Sequence, residues 1–492
     1  MPDRQRIEPW LYWLAGLFVG LFALTTYHRA TDFDDAWFAE QAYFLLRDGV
    51  VRSEFFRGVN HWEDRIYVFH KLYIYLLAGW TALLGFSAPA VESLGTLGAA
   101  LNVAGLYALT RHATMGDQQT RTLFGWSLLL YVSCGLVQRF GFVARPETMN
   151  AAFGLWGYYF LSTIPPRSLS PDQVRPLSGR LVLAAVLAGL AALTHLNGLM
   201  YGLAGLTWLA VARRWREGFL YGLIWVTVFA VYFTDVAVDG QWARFLQQFR
   251  YDPATRHLFG WLAKLRTLAS FHQMLFHNQV EAAITLLTVL VGWLSWRYDR
   301  ASRPLIGYLA SLTVWLWLIT RGSTKYYMLL LLPFACLLAG RALVGSVRQW
   351  PVRWQRVAAV LVVGWLVSGV AEAGQLLYAN RAPVVAERTA RLATLMGKPG
   401  ATIIGPLDLF FEQVGHYRIH SLTYYYLLNQ HEYGGKLSLP QFFELAAREG
   451  AAYVVTDPKL NMAYDIPDTA PARIGRYRRI YQDDWNSLYK LE

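Results

Sequence analysis

Long apolar runs follow one another along most of this chain. Most of them approach the ~20 residues that a helix needs to cross a ~30 Å hydrocarbon core, and they carry few charges. This pattern predicts a polytopic α-helical membrane protein in which the first run is a retained helix. The runs lie near residues 10–28, 66–86, 90–110, 122–138, 147–164, 180–194, 198–212, 218–235, 280–297, 304–320, 326–344 and 356–372.

Basic residues predict the orientation of these helices, because Lys and Arg near helix ends favour the cytoplasm. They concentrate in the loops 111–121, 167–180, 213–216, 297–303 and 341–356. Basic loops alternate with loops poor in positive charge along the whole chain only if the run 66–86 does not cross the membrane. This run contains His70 and Lys71 and is therefore predicted to be interfacial or re-entrant. The prediction is then eleven spanning helices, with the amino terminus inside and the carboxyl terminus outside. The short runs around His195 extend the count to twelve.

The region after residue 380 has the composition of a soluble domain. It contains the strand-like segments ATII and AYVVT and the helix-like segments LDLFFEQV and PQFFELAARE. We therefore expect two domains, a transmembrane domain at 1–379 and a small extracytoplasmic α/β domain at 380–492. Two long outer loops are predicted within the first domain, at 29–65 and 235–279, and long loops in compact proteins usually carry function.

Composition narrows the class of protein further. The chain has 492 residues, of which 55% are hydrophobic and 16% are charged. The net charge of +12 fits basic cytoplasmic loops, so we expect membrane lipids and no nucleic acid as partners. Cys134 and Cys336 fall inside apolar runs, so no disulfide framework is predicted. We find no internal repeat and no nucleotide-binding glycine pattern, which disfavours a nucleotide-driven pump.

Polar residues at helix ends supply the candidate chemistry, and the predicted topology places them on the outer side. The segment TDFDDAWFAEQAYFLL should lie as an amphipathic helix at the membrane interface, where a carboxylate could act as a general base. Alternatively, Asp34 or Asp35 is a helix N-cap. The outward-facing set is Asp34, Asp35, Glu40, Arg145, Glu147, His195, Asn197, Arg321 and Lys325.

Lys71 in VFHKLYIY and Lys325 in RGSTKYYMLLLLP stand beside aromatic and aliphatic runs, as binding of a lipid-linked phosphate would require. The alternative for both is interfacial snorkelling. In ARPETMN, Glu147 could simply complement a positive helix end beside Arg145. His195, in LTHLNGL, could belong to a satisfied turn between two helices. The conjunction of a base, several cations and an aromatic surface favours transfer from a lipid phosphate.

These segments, in this order, resemble the polyprenyl-phosphate-dependent glycosyltransferases of the C superfamily. The likeness is to the branch of the protein O-mannosyltransferases and the lipid A aminoarabinose transferase, and it covers roughly residues 10–375. The resemblance implies that Asp34 is catalytic and that Asp35 fills the second acidic position. Fixed cations would stabilise the leaving phosphate, so we predict a donor phosphate site at Lys71, Arg145, Arg321, Lys325 and His195, and other substrate-site residues at Glu40, Glu147, Asn197 and Tyr326.

The sequence departs from the family pattern at three positions. Leu72 replaces the usual proline, His70 replaces a frequent Glu, and His195 stands where the aminoarabinose transferases have Lys. The last change makes a phosphate contact weaker or dependent on pH. Some relatives bind a divalent metal near the first turn. His70 and His257 are the candidate ligands here, although the mechanism requires no cofactor.

The sequence thus predicts a multi-pass glycosyltransferase of the bacterial cytoplasmic (inner) membrane, with its active site on the periplasmic or external face. It would move a monosaccharide from a polyprenyl-phosphate donor to a hydroxyl of lipid A, another envelope glycan or lipid, or a protein. The sugar, the acceptor and the carrier length stay open. A lipid-linked sugar flippase and a polysaccharide ligase are the alternatives, and the acidic pair of the first loop favours the transferase.

Overall fold

The computed structural model describes residues 9–492 except 30, 115, 165–177, 252–259, 323, 380–381, 398, 432–433, 435–436, 457–470 and 485. Helices dominate this part of the chain, and a small sheet lies near its end. The helices are α1 Pro9–His28, α2 Phe33–Asp48, α3 Lys71–Leu84, α4 Ala88–Ala113, α5 Asp117–Ser133, α6 Gly135–Phe140, α7 Pro146–Ser162, α8 Gly179–Thr194, α9 Leu199–Val211, α10 Trp215–Ala230, α11 Thr234–Asp239, α12 Trp242–Arg250, α13 Trp261–Ser270, α14 His272–Leu275, α15 Gln279–Tyr298, α16 Arg303–Ile319, α17 Met328–Arg341, α18 Val352–Ala379, α19 Ala382–Met396, α20 Phe410–Gln413, α21 Leu422–His431 and α22 Leu439–Arg448.

The prediction of a polytopic helical membrane protein is confirmed. Within the described residues, seven helical stretches are long and apolar enough to cross a membrane. The other predicted runs correspond to α3, α5, α7, α8 and α9, which have 13 to 17 residues each. The count of eleven to twelve and the sidedness stay predictions. The seven stretches are Pro9–Tyr27, Ala88–Ala113, Trp215–Asp239, Gln279–Tyr298, Arg300–Ile319, Lys325–Gln349 and Val352–Tyr378.

Two helix breaks bring polar groups into the bundle. The predicted run near 122–138 is interrupted at Cys134, where α5 ends and the short helix α6 begins. The second break separates α8 from α9, because His195 has an extended backbone and a 3₁₀ turn follows it. Gly198 is required in that turn, since a Cβ there would lie 2.3 Å from the carbonyl oxygen of Ala191.

The C-terminal α/β region is also confirmed. Its six strands form one sheet in the order β2-β1-β3-β6-β5-β4, parallel across β2-β1-β3 and antiparallel from β3 to β4. This sheet packs toward the first loop (29–65): the rings of Phe55 and Phe410 lie 5.0 Å apart. The backbone N–H of Ser421 also donates to the carbonyl of Phe55 at 3.1 Å. The strands are β1 Thr402–Gly405, β2 Arg418–Ser421, β3 Ala451–Thr456, β4 Arg473–Ile474, β5 Tyr477–Gln482 and β6 Ser487–Leu491.

Candidate functional site

The start of α2 and the start of α7 meet at the candidate site. Two adjacent carboxylates of α2 hold two adjacent residues of the ARPE turn. Asp34 forms an ion pair with Arg145, and Asp35 accepts the backbone N–H of Ala144 at 2.6 Å. The site is therefore built across more than a hundred residues of sequence.

The N-cap of α2 is Asp32, so the alternative that Asp34 or Asp35 is the N-cap is wrong. The Asp32 carboxylate accepts the N–H of Asp34 at 3.2 Å, while Asp35 completes a capping box by accepting the N–H of Asp32 at 2.6 Å. The cap satisfies the orphan donors of the first turn. As a result, the Asp34 carboxylate is not needed for capping and can face the ARPE turn.

Arg145 links the charged groups of the site, because it pairs with both Asp34 and Glu147. Its guanidinium forms a two-pronged pair with the fully buried carboxylate of Glu147, with Nε–Oε2 and Nη2–Oε1 distances of 3.1 and 2.7 Å. Arg145 also contacts Asp34, and its Cζ lies 3.7 Å from the ring centroid of Tyr326. The bidentate pair fixes the plane of the guanidinium, so Arg145 presents a positioned positive charge beside the Asp34 carboxylate.

Burial sets the protonation of Asp34. It raises the pKa of the Asp34 carboxyl to about 7, although the Arg145 charge opposes the rise and the nearby carboxylates reinforce it. The side chain is 19% exposed, so it can still be reached. A general base is most effective when its pKa lies near the working pH, and Asp34 meets that condition.

Asp35 is more enclosed than its neighbour. It is fully buried and pairs with Arg29 at 3.1 Å, in addition to accepting two backbone N–H groups. Burial raises the pKa of Asp35 to about 6, while Arg29 opposes the rise. Arg29 in turn donates to the carbonyl of Phe142. This geometry favours a positioning role for Asp35. Sequence reasoning missed Arg29, because a basic residue just after a membrane helix is commonly topological.

Glu40 lies in the same helix, but it is used differently. Its Oε2 accepts the hydroxyl of Ser53 at 2.6 Å, and its Oε1 accepts the N–H groups of Glu54 and Phe55 at 2.8 and 3.0 Å. We call this arrangement the Glu40 bracket. It folds the first loop back onto α2, so the predicted substrate role of Glu40 competes with a structural one.

His70 and His195 come together across the two turns. Their rings stack at 4.6 Å with an interplanar angle of 17°. The Nδ1 of His195 accepts the N–H of Asn197 at 3.0 Å, so the ring proton of a neutral His195 lies on Nε2. Burial lowers the pKa of His195 to about 4 and that of His70 well below its usual value. At neutral pH, His195 can therefore offer a phosphate an N–H but not a charge.

The remaining predicted cations, Lys325, Arg321 and Lys71, each make contacts of their own. Lys325 lies over the rings of Phe140 and Tyr326, at 5.6 and 5.9 Å. Arg321 donates to the carbonyl of Phe249 at 3.0 Å and lies 3.7 Å from the centroid of its ring. Lys71 forms an ion pair with Asp235. The structure therefore joins Asp34, Arg145, Glu147 and Tyr326 directly and leaves Lys71 and Arg321 engaged elsewhere.

The proposed metal ligands do not form a complete set in the described part of the chain. There, no three His, Cys, Asp or Glu side chains converge as metal ligands. His70 stacks on His195, and His257 lies outside the described residues. We therefore route no chemical step through a metal.

No protein-family model and no curated protein sequence matches this chain. Solved structures do share its fold. ArnT from Cupriavidus metallidurans, bound to undecaprenyl phosphate, aligns with a TM-score of 0.65 and 14% identity over 98% of each chain. The apo oligosaccharyltransferase of Archaeoglobus fulgidus aligns with a TM-score of 0.55 and 11% identity, over 91% of this chain and 70% of that one.

A further structure of the Archaeoglobus fulgidus enzyme, with an inhibitory peptide and a dolichol-phosphate, aligns with a TM-score of 0.53 and 12% identity. It covers 91% of this chain and 70% of the other. The chain therefore has the fold of these solved structures, which confirms the resemblance at the level of fold.

Proposed function

We propose that this chain, which has the fold of the C-superfamily glycosyltransferases, moves a monosaccharide from a polyprenyl-phosphate donor to an acceptor hydroxyl. We place the reaction at the outer face of a bacterial cytoplasmic membrane. Similarity to proteins whose structures were solved with undecaprenyl phosphate and with a dolichol-phosphate supports the donor class. Lipid A, another envelope glycan or lipid, and a protein hydroxyl are the acceptor classes to test.

One observation carries the proposal. Asp34 is the carboxylate of this site that is partly exposed, poised near neutral pH and in contact with a positioned guanidinium. A transferase of this kind needs both partners. The base must accept a proton from the attacking hydroxyl, and a fixed cation must stabilise negative charge on the leaving phosphate.

The proposed reaction is a single displacement. The Asp34 carboxylate accepts the proton of the acceptor hydroxyl as its oxygen attacks the anomeric carbon. The bond from that carbon to the phosphate oxygen breaks, and the polyprenyl phosphate leaves with the electron pair. One displacement inverts the anomeric configuration. Retention would require a second, covalent step with its own nucleophile.

The leaving phosphate would be met by cations and by an N–H donor. Arg145 is held in place by Glu147 and Tyr326. Lys325 lies 5.9 Å from the centroid of the Tyr326 ring, and His195 offers its Nε2–H. Preorganised charges usually supply the largest share of catalysis, because they need no rearrangement as charge develops. We assign the phosphate to this group, joined by Lys71 at the start of α3 and by Arg321 just after α16.

The test is transfer by the purified protein reconstituted in lipid. It would be offered polyprenyl-phosphate-linked monosaccharides one at a time, with a membrane extract as acceptor. Asp34→Asn is the test variant. The matched control is Asp48→Asn, since Asp48 lies at the other end of α2 and is paired with Arg47 and Arg52.

We expect sugar transfer by the wild type and by Asp48→Asn, with loss in Asp34→Asn. Full transfer by Asp34→Asn would remove the assigned base. Movement of an intact donor between leaflets, with no transfer from any donor, would instead support a flippase.

A further inference from the structure

The Lys71 ammonium, at the start of α3, is enclosed between Phe69 and the segment 232–235, where the second long loop (235–279) begins. Its side chain is 8% exposed, and it lies 4.0 Å from the ring centroid of Phe69 and 5.3 Å from that of Tyr232. Among the described residues, its salt-bridge partner is Asp235, the second residue of α11. A cation in so apolar a place requires an anion, because an unpaired buried charge is costly.

The two loops are also held together by contacts that do not involve Lys71. Asp239, one helical turn after Asp235, pairs with Arg65 at 2.7 Å and accepts the Tyr67 hydroxyl at 2.8 Å. Asp235 and Asp239 stand at i and i+4, so both lie on one face of α11, toward the segment 65–71. One acidic face of α11 thus meets two cations, and each carboxylate has its own partner.

Gln248 of α12 strengthens the same junction. Its side chain is fully buried and makes three hydrogen bonds to the backbone of the segment 60–67. Oε1 accepts the Tyr67 N–H at 2.7 Å, while Nε2 donates to the carbonyls of Arg65 and Asn60 at 2.8 and 3.2 Å. Gln248 and Asp239 can therefore hold the loops in register whether or not Lys71 is paired with Asp235.

We infer that Asp235 pairs with Lys71 in the absence of donor. When the donor binds, its phosphate displaces the Asp235 carboxylate from the Lys71 ammonium. The inference rests on the proposed function, in which Lys71 contacts that phosphate. A carboxylate and a phosphate both offer oxygen acceptors to an ammonium group. Return of Asp235 to Lys71 then assists release of the polyprenyl phosphate product. Asp235 is accordingly a positioning residue that sets phosphate affinity.

Competition of this kind lowers the apparent affinity for the lipid phosphate. Only the fraction of protein in which Lys71 is not paired with Asp235 is competent to bind it. Removing the competitor should increase that fraction. We therefore expect Asp235→Asn to bind the lipid phosphate more tightly and to be inhibited more strongly by the product. An ion pair with a purely structural role would show the opposite, since its loss would disturb Lys71 and weaken binding.

The experiment measures binding of undecaprenyl phosphate to the purified full-length chain in nanodiscs. Four variants are compared with wild type: Lys71→Gln, Asp235→Asn, the double variant and Asp239→Asn. Asp239→Asn is the matched control, because it removes a neighbouring carboxylate of α11 that pairs with Arg65. Thermal unfolding of each sample verifies that it is folded. The double variant leaves no unpaired charge at the junction, so it remains informative even if a single variant is unstable.

We expect Lys71→Gln to weaken binding about tenfold or more and Asp235→Asn to tighten it about threefold or more. The double variant should bind like Lys71→Gln, and Asp239→Asn should stay within about twofold of wild type, because the partly exposed Asp239–Arg65 pair contributes little and does not include Lys71. If Lys71→Gln binds like wild type, Lys71 does not contact the phosphate, and that part of the proposed function fails. If Lys71→Gln weakens binding while Asp235→Asn fails to tighten it, the exchange is overturned and the phosphate site stands.

Discussion

Helix α2 holds two carboxylates less than two turns apart, the partly exposed Asp34 and the buried Glu40, and their surroundings differ. Burial raises the pKa of both, to about 7 for Asp34 and about 8 for Glu40. Glu40 accepts hydrogen bonds from three donors of one short loop segment, whereas Asp34 faces a guanidinium from a distant helix. A raised pKa therefore does not distinguish a catalytic base from a carboxylate that holds a loop in place. The identity of the hydrogen-bond and ion-pair partners does distinguish them.

The largest expected effect is the loss of transfer in Asp34→Asn. A positioned general base contributes about 100- to 10,000-fold, and Asn cannot accept the proton. Asp35→Asn should reduce transfer much less, because Asp35 acts through the cap and Arg29. Single-turnover rates with a fixed donor would compare the two. An Asp35 variant as inactive as the Asp34 variant, yet equally well folded, would mean that the two carboxylates work as one unit.

Arg145→Met should cost about 100-fold in transfer rate, as removal of one preorganised charge commonly does. It should also leave Glu147 buried without its partner. Arg145→Lys should recover part of the rate, since Lys keeps the charge but cannot form the two-pronged pair. The rate constant at saturating donor is the quantity to measure. Equal rates for Met and Lys would show that the guanidinium is structural.

The dependence of transfer on pH follows from the sign of the Asp34 shift. Asp34 works as a base only when deprotonated, and its pKa lies at about 7 rather than near its ordinary value. Transfer should therefore rise with pH through about 7 and fall about tenfold per unit well below it. His195 cannot account for such a limb, because its pKa is lowered to about 4. A limb near 4 in the rate profile would contradict the raised pKa of Asp34.

The smallest effect on chemistry is expected for Glu40→Gln. Gln keeps the shape and one acceptor oxygen, but its NH2 group cannot accept a hydrogen bond, so it cannot serve both the Ser53 hydroxyl and the two backbone N–H groups. We expect the variant to lose about 1–3 kcal/mol of stability while its transfer rate stays within a few-fold of wild type. Thermal unfolding and transfer would be measured on the same preparation. A stable variant with abolished transfer would move Glu40 into the active site.

The sequence predicted the helical membrane domain and the small C-terminal sheet well, because both follow from local composition and periodicity. It did not predict the break at Cys134. The stretch around that residue, LLLYVSCGLV, is apolar throughout and shows no helix-stop signal other than one glycine. The break depends on how α6 packs against other helices, including α18. Such tertiary causes leave no periodic signature.

The candidate site was only partly accessible to sequence reasoning. Its members could be nominated because polar residues among apolar runs are conspicuous. The pairings of Asp34 with Arg145 and of Lys71 with Asp235 join distant segments, and nothing local encodes them. Asp235 was overlooked because an acidic residue at a helix end is usually solvated. Its importance emerges only when Lys71 is seen to lie against it.

The order of strands in the C-terminal sheet determines when the sheet can form during synthesis of the chain. β6 lies between β3 and β5 although it follows both in the chain, so the edge of β3 stays unpaired until β6 has been made. Phe55, near the start of the chain, likewise waits for Phe410 and Ser421. At roughly 5–20 residues per second, that wait is on the order of tens of seconds. A nascent chain must therefore keep the aromatic face of its first loop from premature contacts until its partner arrives.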